Sequence, residues 1–141
     1  MFDELTKYKN NDHFFFTAQQ ALGNVCNAPK DKSGVFVVWQ LKNGRIELVY
    51  IGSSGKIQNN GKIKPKGGLY DSIVNEEQFG EIPRKKSWKQ KLIDDEIEAL
   101  DVYWYDTFNS NNKDIPTFVE ATIIQVFFEM HGRLPRWNKE F

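Results

Sequence analysis

The chain has 141 residues, of which 40% are hydrophobic and 14% aromatic. This length suits one domain with a buried core, and the composition argues against two ordinary domains or a disordered chain. The 19 basic and 19 acidic residues balance, which argues against a protein that coats nucleic acid without discrimination. A single cysteine excludes an internal disulfide and a cysteine-based zinc cluster. Because no apolar run could span a membrane and the N-terminus does not resemble a signal peptide, we expect a cytoplasmic protein without a membrane partner.

The sequence pattern of residues 1–33 predicts a helical extension. Thr17 and Gln20 have the spacing of a capping box, which indicates the start of a short helix. The phenylalanines at 14–16 predict an apolar strand or an anchor for that helix. We therefore expect residues 1–33 to form an N-terminal helical extension packed on the core, and residues 34–141 to form the main domain.

A β-hairpin is the clearest local pattern. Residues 35–41 and 46–50 are rich in strand formers, and Asn43-Gly44 between them favours a tight turn. Alternation predicts that one face of the second strand carries Ile46, Leu48 and Tyr50. Tyr50 ends this strand, where it can present its hydroxyl at the sheet edge or pack and bond locally.

Later elements follow from periodic patterns. The Gly-, Asn- and Lys-rich stretch after residue 52 predicts a basic loop with a short β-excursion. The segment "LYDSIVNEEQF" predicts a short helix and residues 87–100 a longer amphipathic one. The segment "DVYWYDTF" predicts a third strand, and residues 116–131 a last helix. This order predicts an α+β domain with a small three-stranded antiparallel sheet flanked by helices.

Glu120 occupies an unusual place on the last predicted helix. Ile123, Ile124 and Phe127 follow it at helical spacing, so its carboxylate shares an apolar face. A charge there is costly unless something pairs with it. Alternatively, Thr117 and Glu120 form a capping box, and the residues alone leave both interpretations open.

The motifs "GVF…YIG", the basic segment with its short helix, "PTFVEATII" and "LPRWN" together resemble the GIY-YIG nuclease superfamily over roughly residues 34–138. The resemblance implies a three-stranded antiparallel sheet flanked by helices, and a DNA endonuclease that hydrolyses phosphodiester bonds with one Mg²⁺ or Mn²⁺ ion. It implies that Glu120 is the metal ligand and that Tyr50 acts on or near the attacking water. Asn138 would be a supporting polar contact.

Two positions of the catalytic set depart from the family pattern. Phe36 stands where the family has a tyrosine, and Ser72 stands where the family has an arginine that holds the phosphate. A basic residue at 84–86 would replace this arginine if its loop folds back. We expect DNA phosphates to contact the basic residues Lys56, Lys62, Lys64, Lys66, Arg84, Lys85 and Lys86.

Other functions stay open at this point. A catalytically weakened or silent nucleic-acid-binding module on the same scaffold is the main alternative, and Phe36 and Ser72 favour it. An interaction domain that binds no nucleic acid is another. For an active nuclease, restriction is the first expected role, ahead of repair and mobile-element cleavage. A homodimer is expected if both DNA strands are cut, because one site serves one phosphate.

Overall fold

An antiparallel sheet of four strands lies between two layers of helices in the computed structural model, which describes residues 2–64 and 68–141. A short 3₁₀ helix at Asp3–Leu5 precedes the sheet. The strands are β1 (Asn11–Phe16), β2 (Ser33–Lys42), β3 (Arg45–Ser53), β4 (Lys56–Ile57), β5 (Ile63–Lys64) and β6 (Ala99–Phe108). The helices are α1 (Leu22–Val25), α2 (Gly68–Asn75), α3 (Arg84–Asp94) and α4 (Pro116–His131).

The sheet has the strand order β1-β6-β2-β3, with every neighbouring pair antiparallel. The predicted α+β class and the antiparallel sheet are confirmed, whereas the predicted number of strands is one too few. The strands β4 and β5 pair with each other in a separate two-stranded sheet. Because β3 ends the order, no strand of the described residues lies along one of its sides. This open edge positions the candidate site.

The N-terminal segment contributes a strand to the sheet. Residues 11–16 form β1, which pairs with β6, so the strand interpretation of residues 14–16 is confirmed, whereas the predicted helix after Thr17 is reduced to the four-residue α1. Phe14 and Phe16 are buried and Phe15 is 50% exposed, which is the alternation of a half-buried strand. The side chain of Gln20 accepts a hydrogen bond from the Thr17 N–H at 2.8 Å, but the helix begins only at α1.

The Asn-Gly hairpin is confirmed. Asn43 and Gly44 have φ angles of 53° and 71°, the left-handed backbone that a two-residue turn between twisted strands requires. The helix α4 forms where the sequence predicts it, and Gly132 ends it with φ 68°. The helix α2 covers only the first part of its predicted segment and ends at Asn75. Within the described ranges, no helix has the length and apolar character needed to cross a membrane.

The amphipathic helix is shorter than predicted and lies earlier in the chain. It was expected over residues 87–100, whereas α3 spans Arg84–Asp94. Pro83 precedes the helix in an extended conformation, and Glu96 has a φ of 55° that is incompatible with its continuation. Leu100 therefore belongs to β6, where it is buried opposite Phe16.

The sheet separates two apolar layers. The layer between the sheet and α2 and α3, called here the α3 layer, contains Phe36, Val49 and Trp88. The layer under α4, called the α4 layer, contains Leu48, Ile51 and Ile123 among its buried residues. Each layer ends at the open edge of β3, so side chains from both layers can meet there.

Candidate active site

A β-bulge in β3 determines which layer contains Tyr50. Val38 of β2 pairs with Tyr50, whereas the next residue, Trp39, pairs with Leu48, so Val49 is an extra residue in β3. Val49 and Tyr50 therefore pack with the α3 layer, and Leu48 packs with the α4 layer. The prediction that Leu48 and Tyr50 share a face is wrong, because the extra residue interrupts the alternation.

Arg84 contacts the side chain of Tyr50 directly. Its Nη2 donates a hydrogen bond to the Tyr50 hydroxyl at 3.0 Å. The guanidinium carbon lies 5.2 Å from the centroid of the Tyr50 ring and 5.2 Å from that of Phe36, within the range of a cation–π interaction. Of the three basic residues at 84–86, Arg84 is buried, and Lys85 and Lys86 are exposed on the first turn of α3.

The Arg84 side chain is a buried charge without an ion pair among the described residues. It is 4% exposed. Nε donates to Oε1 of Gln78 at 2.9 Å, and Nη1 donates to the backbone oxygen of Ser72 at 2.6 Å. No carboxylate in residues 2–64 or 68–141 forms a salt bridge with it. Because a buried charge that forms no direct ion pair is costly, an anion bound beside Tyr50 would stabilise this arrangement.

Glu120 reaches the same edge of the sheet from α4. Ser53 at the end of β3 donates from Oγ to Glu120 Oε1 at 2.5 Å. The N-cap of α4 is Ile115, and no side chain caps the helix by a hydrogen bond. The capping-box interpretation with Thr117 is therefore wrong, since the Glu120 carboxylate contacts the sheet. Oε2 accepts no hydrogen bond from any described residue.

Tyr50 and Glu120 line one cavity of about 260 Å³. They approach it from opposite faces of the sheet and meet at the edge of β3, beyond which the described part of the chain forms no further strand. We call this space the Tyr50 cavity. Its walls come from the ends of β3 and α4, the segment between α2 and α3, and the C-terminal tail: Tyr50, Gln78, Phe79, Glu120, Trp137, Asn138, Lys139, Glu140 and Phe141.

Burial changes the acidity of both central groups. It raises the pKa of the Tyr50 phenol, Arg84 opposes this rise, and the charges of Glu120 and Glu76 add to it. Burial also raises the pKa of Glu120, with a smaller contribution from Glu76, while the hydrogen bond from Ser53 and the charge of Arg84 lower it. At neutral pH Tyr50 is therefore a neutral phenol. A cation bound beside Glu120 would favour the ionised form of the Glu120 carboxylate.

The donor set at Glu120 suits a hard divalent cation held by few protein ligands. In the described ranges, no group of three or more His, Cys, Asp or Glu side chains is arranged to hold a metal ion. Mg²⁺ needs no such group, because it keeps several waters and is commonly bound by one or two carboxylates plus substrate phosphates. The free Oε2 of Glu120 fits this pattern, and Glu76 is the second carboxylate that acts on it electrostatically.

Asn138 lines the Tyr50 cavity, and both polar atoms of its amide bind the backbone of Ile51. Oδ1 accepts from the Ile51 N–H at 3.0 Å, and Nδ2 donates to the Ile51 carbonyl at 3.0 Å. The Trp137 N–H donates to the Val49 carbonyl at 2.8 Å. The tail thereby satisfies backbone groups on the open edge of β3. Asn138 thus fixes a wall of the cavity through the backbone of β3.

Phe36 and Gly52 are paired at the end of the hairpin away from its turn, and both pack closely against Tyr50. Phe36 is fully buried, and its ring centroid lies 5.9 Å from that of Tyr50. A Cβ on Gly52 would lie 2.6 Å from Phe36 Cζ and 2.8 Å from Tyr50 Cε2, which is too close for a real contact. Glycine is needed here because the two rings pack against its backbone.

Ser72 does not line the Tyr50 cavity. It is buried in α2, and its hydroxyl donates to Glu76 Oε2 at 2.5 Å. Its backbone oxygen accepts from Arg84. The cation beside Ser72 is therefore Arg84 of α3, which Ser72 binds through its backbone oxygen.

The predicted phosphate-binding lysines whose side chains the structure describes are separate from the Tyr50 cavity. The backbone of Lys64 pairs with Lys56 in the two-stranded sheet, and Lys66 lies outside the described residues. The other members of the predicted set are exposed, and none of them lines the cavity: Lys56, Lys62, Lys85 and Lys86.

Sequence reasoning missed Gln78. Its Oε1 accepts from Arg84 Nε at 2.9 Å and from Trp88 Nε1 at 2.8 Å, and these two donors fix the orientation of the amide. Its Nε2 is buried and has no acceptor among the described residues. A glutamine in a polar loop carries no distinctive pattern, so only the fold reveals that it holds Arg84 at the cavity.

The chain is therefore an α+β protein in which Tyr50, Arg84 and Glu120 lie close together at one edge of the sheet. Compared with protein-family models, curated proteins and solved structures, the chain matches none.

Proposed function

We propose that this protein is a metal-dependent DNA endonuclease of the GIY-YIG type, with its active site in the Tyr50 cavity. The observation that carries the proposal is the meeting of Tyr50, Arg84 and Glu120, which are far apart in the sequence, at the open edge of β3. These groups supply parts that phosphodiester hydrolysis requires: a carboxylate for a cation, and a phenol beside the attacking water that is oriented by a buried cation.

Each residue has a separate role in this proposal. Glu120 holds Mg²⁺ or Mn²⁺ through its free carboxylate oxygen, and the bound cation offsets charge on the scissile phosphate and the leaving oxygen. Tyr50 orients the attacking water by a hydrogen bond, since its hydroxyl accepts from Arg84 and no described residue accepts its proton. Arg84 is a positioning residue, because it acts through the Tyr50 hydroxyl and is not itself in the wall of the cavity.

A plasmid-cleavage assay tests the proposal. We expect the purified chain to convert supercoiled plasmid into nicked or linear forms with Mg²⁺ or Mn²⁺, and to leave it intact with EDTA. Glu120→Gln should abolish cleavage. Glu129→Gln is the matched control, because Glu129 lies exposed on the same helix and pairs only with Gln125 among the described residues. Equal cleavage by wild type and Glu120→Gln would overturn the proposal.

The products of the same assay address the biological role. Discrete fragments from one recurring sequence would support restriction, our first proposal, over repair or mobile-element cleavage. Linear product that appears without a nicked intermediate, at a rate that rises steeply with protein concentration, would support a homodimer that cuts both strands.

A second candidate function is a nucleic-acid-binding module without catalysis. Phe36 favours it, because the buried ring offers no hydroxyl where the family pattern has a tyrosine. DNA binding by wild type in the presence of Mg²⁺, without cleavage at any protein concentration, would favour the module over the endonuclease.

A further inference from the structure

A second, larger cavity adjoins the Tyr50 cavity and is strongly cationic. It has a volume of about 800 Å³. Its lining contains two acidic residues, Glu47 and Asp95, and five basic residues. The basic residues that line it are Lys42, Arg45, Lys91, Arg136 and Lys139. We call this space the cationic cleft.

Part of this positive charge is already neutralised within the protein. Arg136 forms a forked pair with Glu47, with contacts from 2.9 to 3.2 Å, and Lys91 Nζ lies 2.9 Å from Asp95 Oδ2. The three remaining cations, Lys42, Arg45 and Lys139, form no ion pair with any residue that the structure describes. The unneutralised charge is therefore concentrated in three side chains.

Two of these side chains are placed directly opposite each other by the hairpin. Lys42 and Arg45 are cross-strand partners on either side of the Asn43-Gly44 turn. Like charges in directly opposed positions destabilise a strand pair. No described carboxylate relieves this repulsion, so an anion that binds between or beside the two side chains would.

The cationic cleft and the Tyr50 cavity share part of their walls. Phe79, Trp137 and Lys139 line both spaces. The backbone of Trp137 is bonded to β3 at Val49, so Lys139 follows an anchored segment of the tail. Phe79 has a φ of 61°, a left-handed backbone that is unfavourable for a bulky residue and is often found at functional positions.

We propose that the cationic cleft binds the phosphate backbone of the nucleic acid next to the scissile phosphate, with Lys42, Arg45 and Lys139 as phosphate contacts. This inference rests on the proposed function, since a strand whose scissile phosphate enters the Tyr50 cavity reaches the cleft past Phe79 and Trp137. A chain of regularly spaced phosphates offers one anion to each unpaired cation. The contact residues are different from the lysines that the sequence predicted.

The salt dependence of DNA binding tests this assignment. Binding of a fluorescent duplex would be measured in the Glu120→Gln background, which prevents cleavage, from 50 to 300 mM salt. Each lost phosphate contact should reduce the slope of log K against log[salt] by about 0.9. The triple variant Lys42→Gln, Arg45→Gln, Lys139→Gln should therefore lose about 2.7 from the slope. Three exposed lysines that line neither cavity provide the control: Lys9→Gln, Lys30→Gln, Lys113→Gln.

Equal slopes in the two triple variants would overturn the inference while leaving the proposed endonuclease intact, since wild-type cleavage is measured separately. Absence of both DNA binding and cleavage in wild type would overturn the two together. Polyglutamate that competes with DNA at equal charge concentration would also overturn the nucleic-acid assignment, in favour of an acidic protein partner. If the triple variant does not fold, Arg45→Gln alone gives the same comparison, with a slope reduced by about 0.9.

Discussion

The Nη2 atom of Arg84 lies 3.0 Å from the hydroxyl of Tyr50, although 34 positions separate the two residues in the chain. Arg84 begins the helix α3, and Tyr50 lies within the edge strand β3. The contact joins the only buried arginine of the described core to the tyrosine at the cavity, and it is the electrostatic link on which the proposed chemistry depends.

Replacement of Arg84 should alter the acidity of Tyr50 as well as the cleavage rate. Because Arg84 opposes the rise in the pKa of Tyr50, Arg84→Met should move that pKa further up. We expect cleavage to slow about 100-fold, as when one electrostatic donor is lost. Spectrophotometric titration of the phenols, with Tyr50→Phe as the reference, measures the pKa. A slower variant with an unchanged Tyr50 titration would show that Arg84 is only structural.

Removal of the Tyr50 hydroxyl should affect catalysis more than binding. Tyr50→Phe should reduce the single-turnover cleavage rate about 100-fold or more, while the Kd for uncleaved DNA stays within about twofold of the wild-type value, below a difference of 0.5 kcal/mol. Tyr103→Phe serves as the control, since Tyr103 lies on the sheet away from this cavity. A rate equal to that of the control variant would exclude the phenol from the reaction.

Glu120 should destabilise the folded protein at neutral pH. The pKa of Glu120 is raised in the folded state, so its contribution to stability is present below the unfolded-state pKa and is lost as the pH rises through the folded-state value. Glu120→Gln should therefore have a higher Tm than wild type at pH 7.5, and the difference should vanish near pH 4. Differential scanning calorimetry at both pH values measures this.

Comparison of wild type with Glu120→Gln also tests metal binding without a measurement of cleavage. Mg²⁺ at ten times its Kd should stabilise wild type by about 1.4 kcal/mol, and it should not stabilise Glu120→Gln. Equal stabilisation of both proteins would place the cation elsewhere.

Asn138 should act on stability and leave metal binding unchanged. Asn138→Ala removes both side-chain hydrogen bonds to Ile51, and we expect the free energy of unfolding to fall by about 1–3 kcal/mol. The Mg²⁺-dependent rise in Tm should persist. Urea unfolding, with Asn24→Ala as an exposed control, gives the first quantity. Loss of the Mg²⁺ effect would instead identify Asn138 as a metal contact.

Gly52→Ala should displace the rings that position Tyr50. The new methyl group would lie 2.6 Å from Phe36 Cζ, and overpacking of this kind typically costs about 1–3 kcal/mol. Cleavage should slow as Tyr50 shifts. The double variant with Phe36→Leu makes room for the methyl group and should recover part of the lost stability, as measured by urea unfolding. An unchanged Tm in Gly52→Ala would contradict the tight packing.

Local sequence patterns were sufficient for several elements of the fold. The Asn-Gly turn, the apolar helix from Pro116 and the acidic residue on its apolar face all depend on neighbours within about one helical turn or one hairpin. They were predictable because those interactions are local. The same is true of the α+β class, which follows from the order of the elements.

Other elements depended on partners far away in the chain. Phe14 and Phe16 form a strand because β6 lies beside them. The hydrogen bond between Thr17 and Gln20 forms as well, but a turn follows Thr17 and the helix begins only at Leu22. The bulge at Val49 moves Tyr50 to the other face of the sheet, and no local pattern announces an extra residue within an alternating strand.

By itself, the sequence determined which side chains the protein has for chemistry: a phenol at a strand end, an acid on an apolar helix face, and excess positive charge after the hairpin. Only the tertiary structure decided that Arg84 supplies the cation beside Tyr50, and that the unpaired charges of the cationic cleft are Lys42, Arg45 and Lys139. The physical reason is that electrostatic interactions depend on distance in space and on burial. Both are set by packing between elements that are remote in the chain.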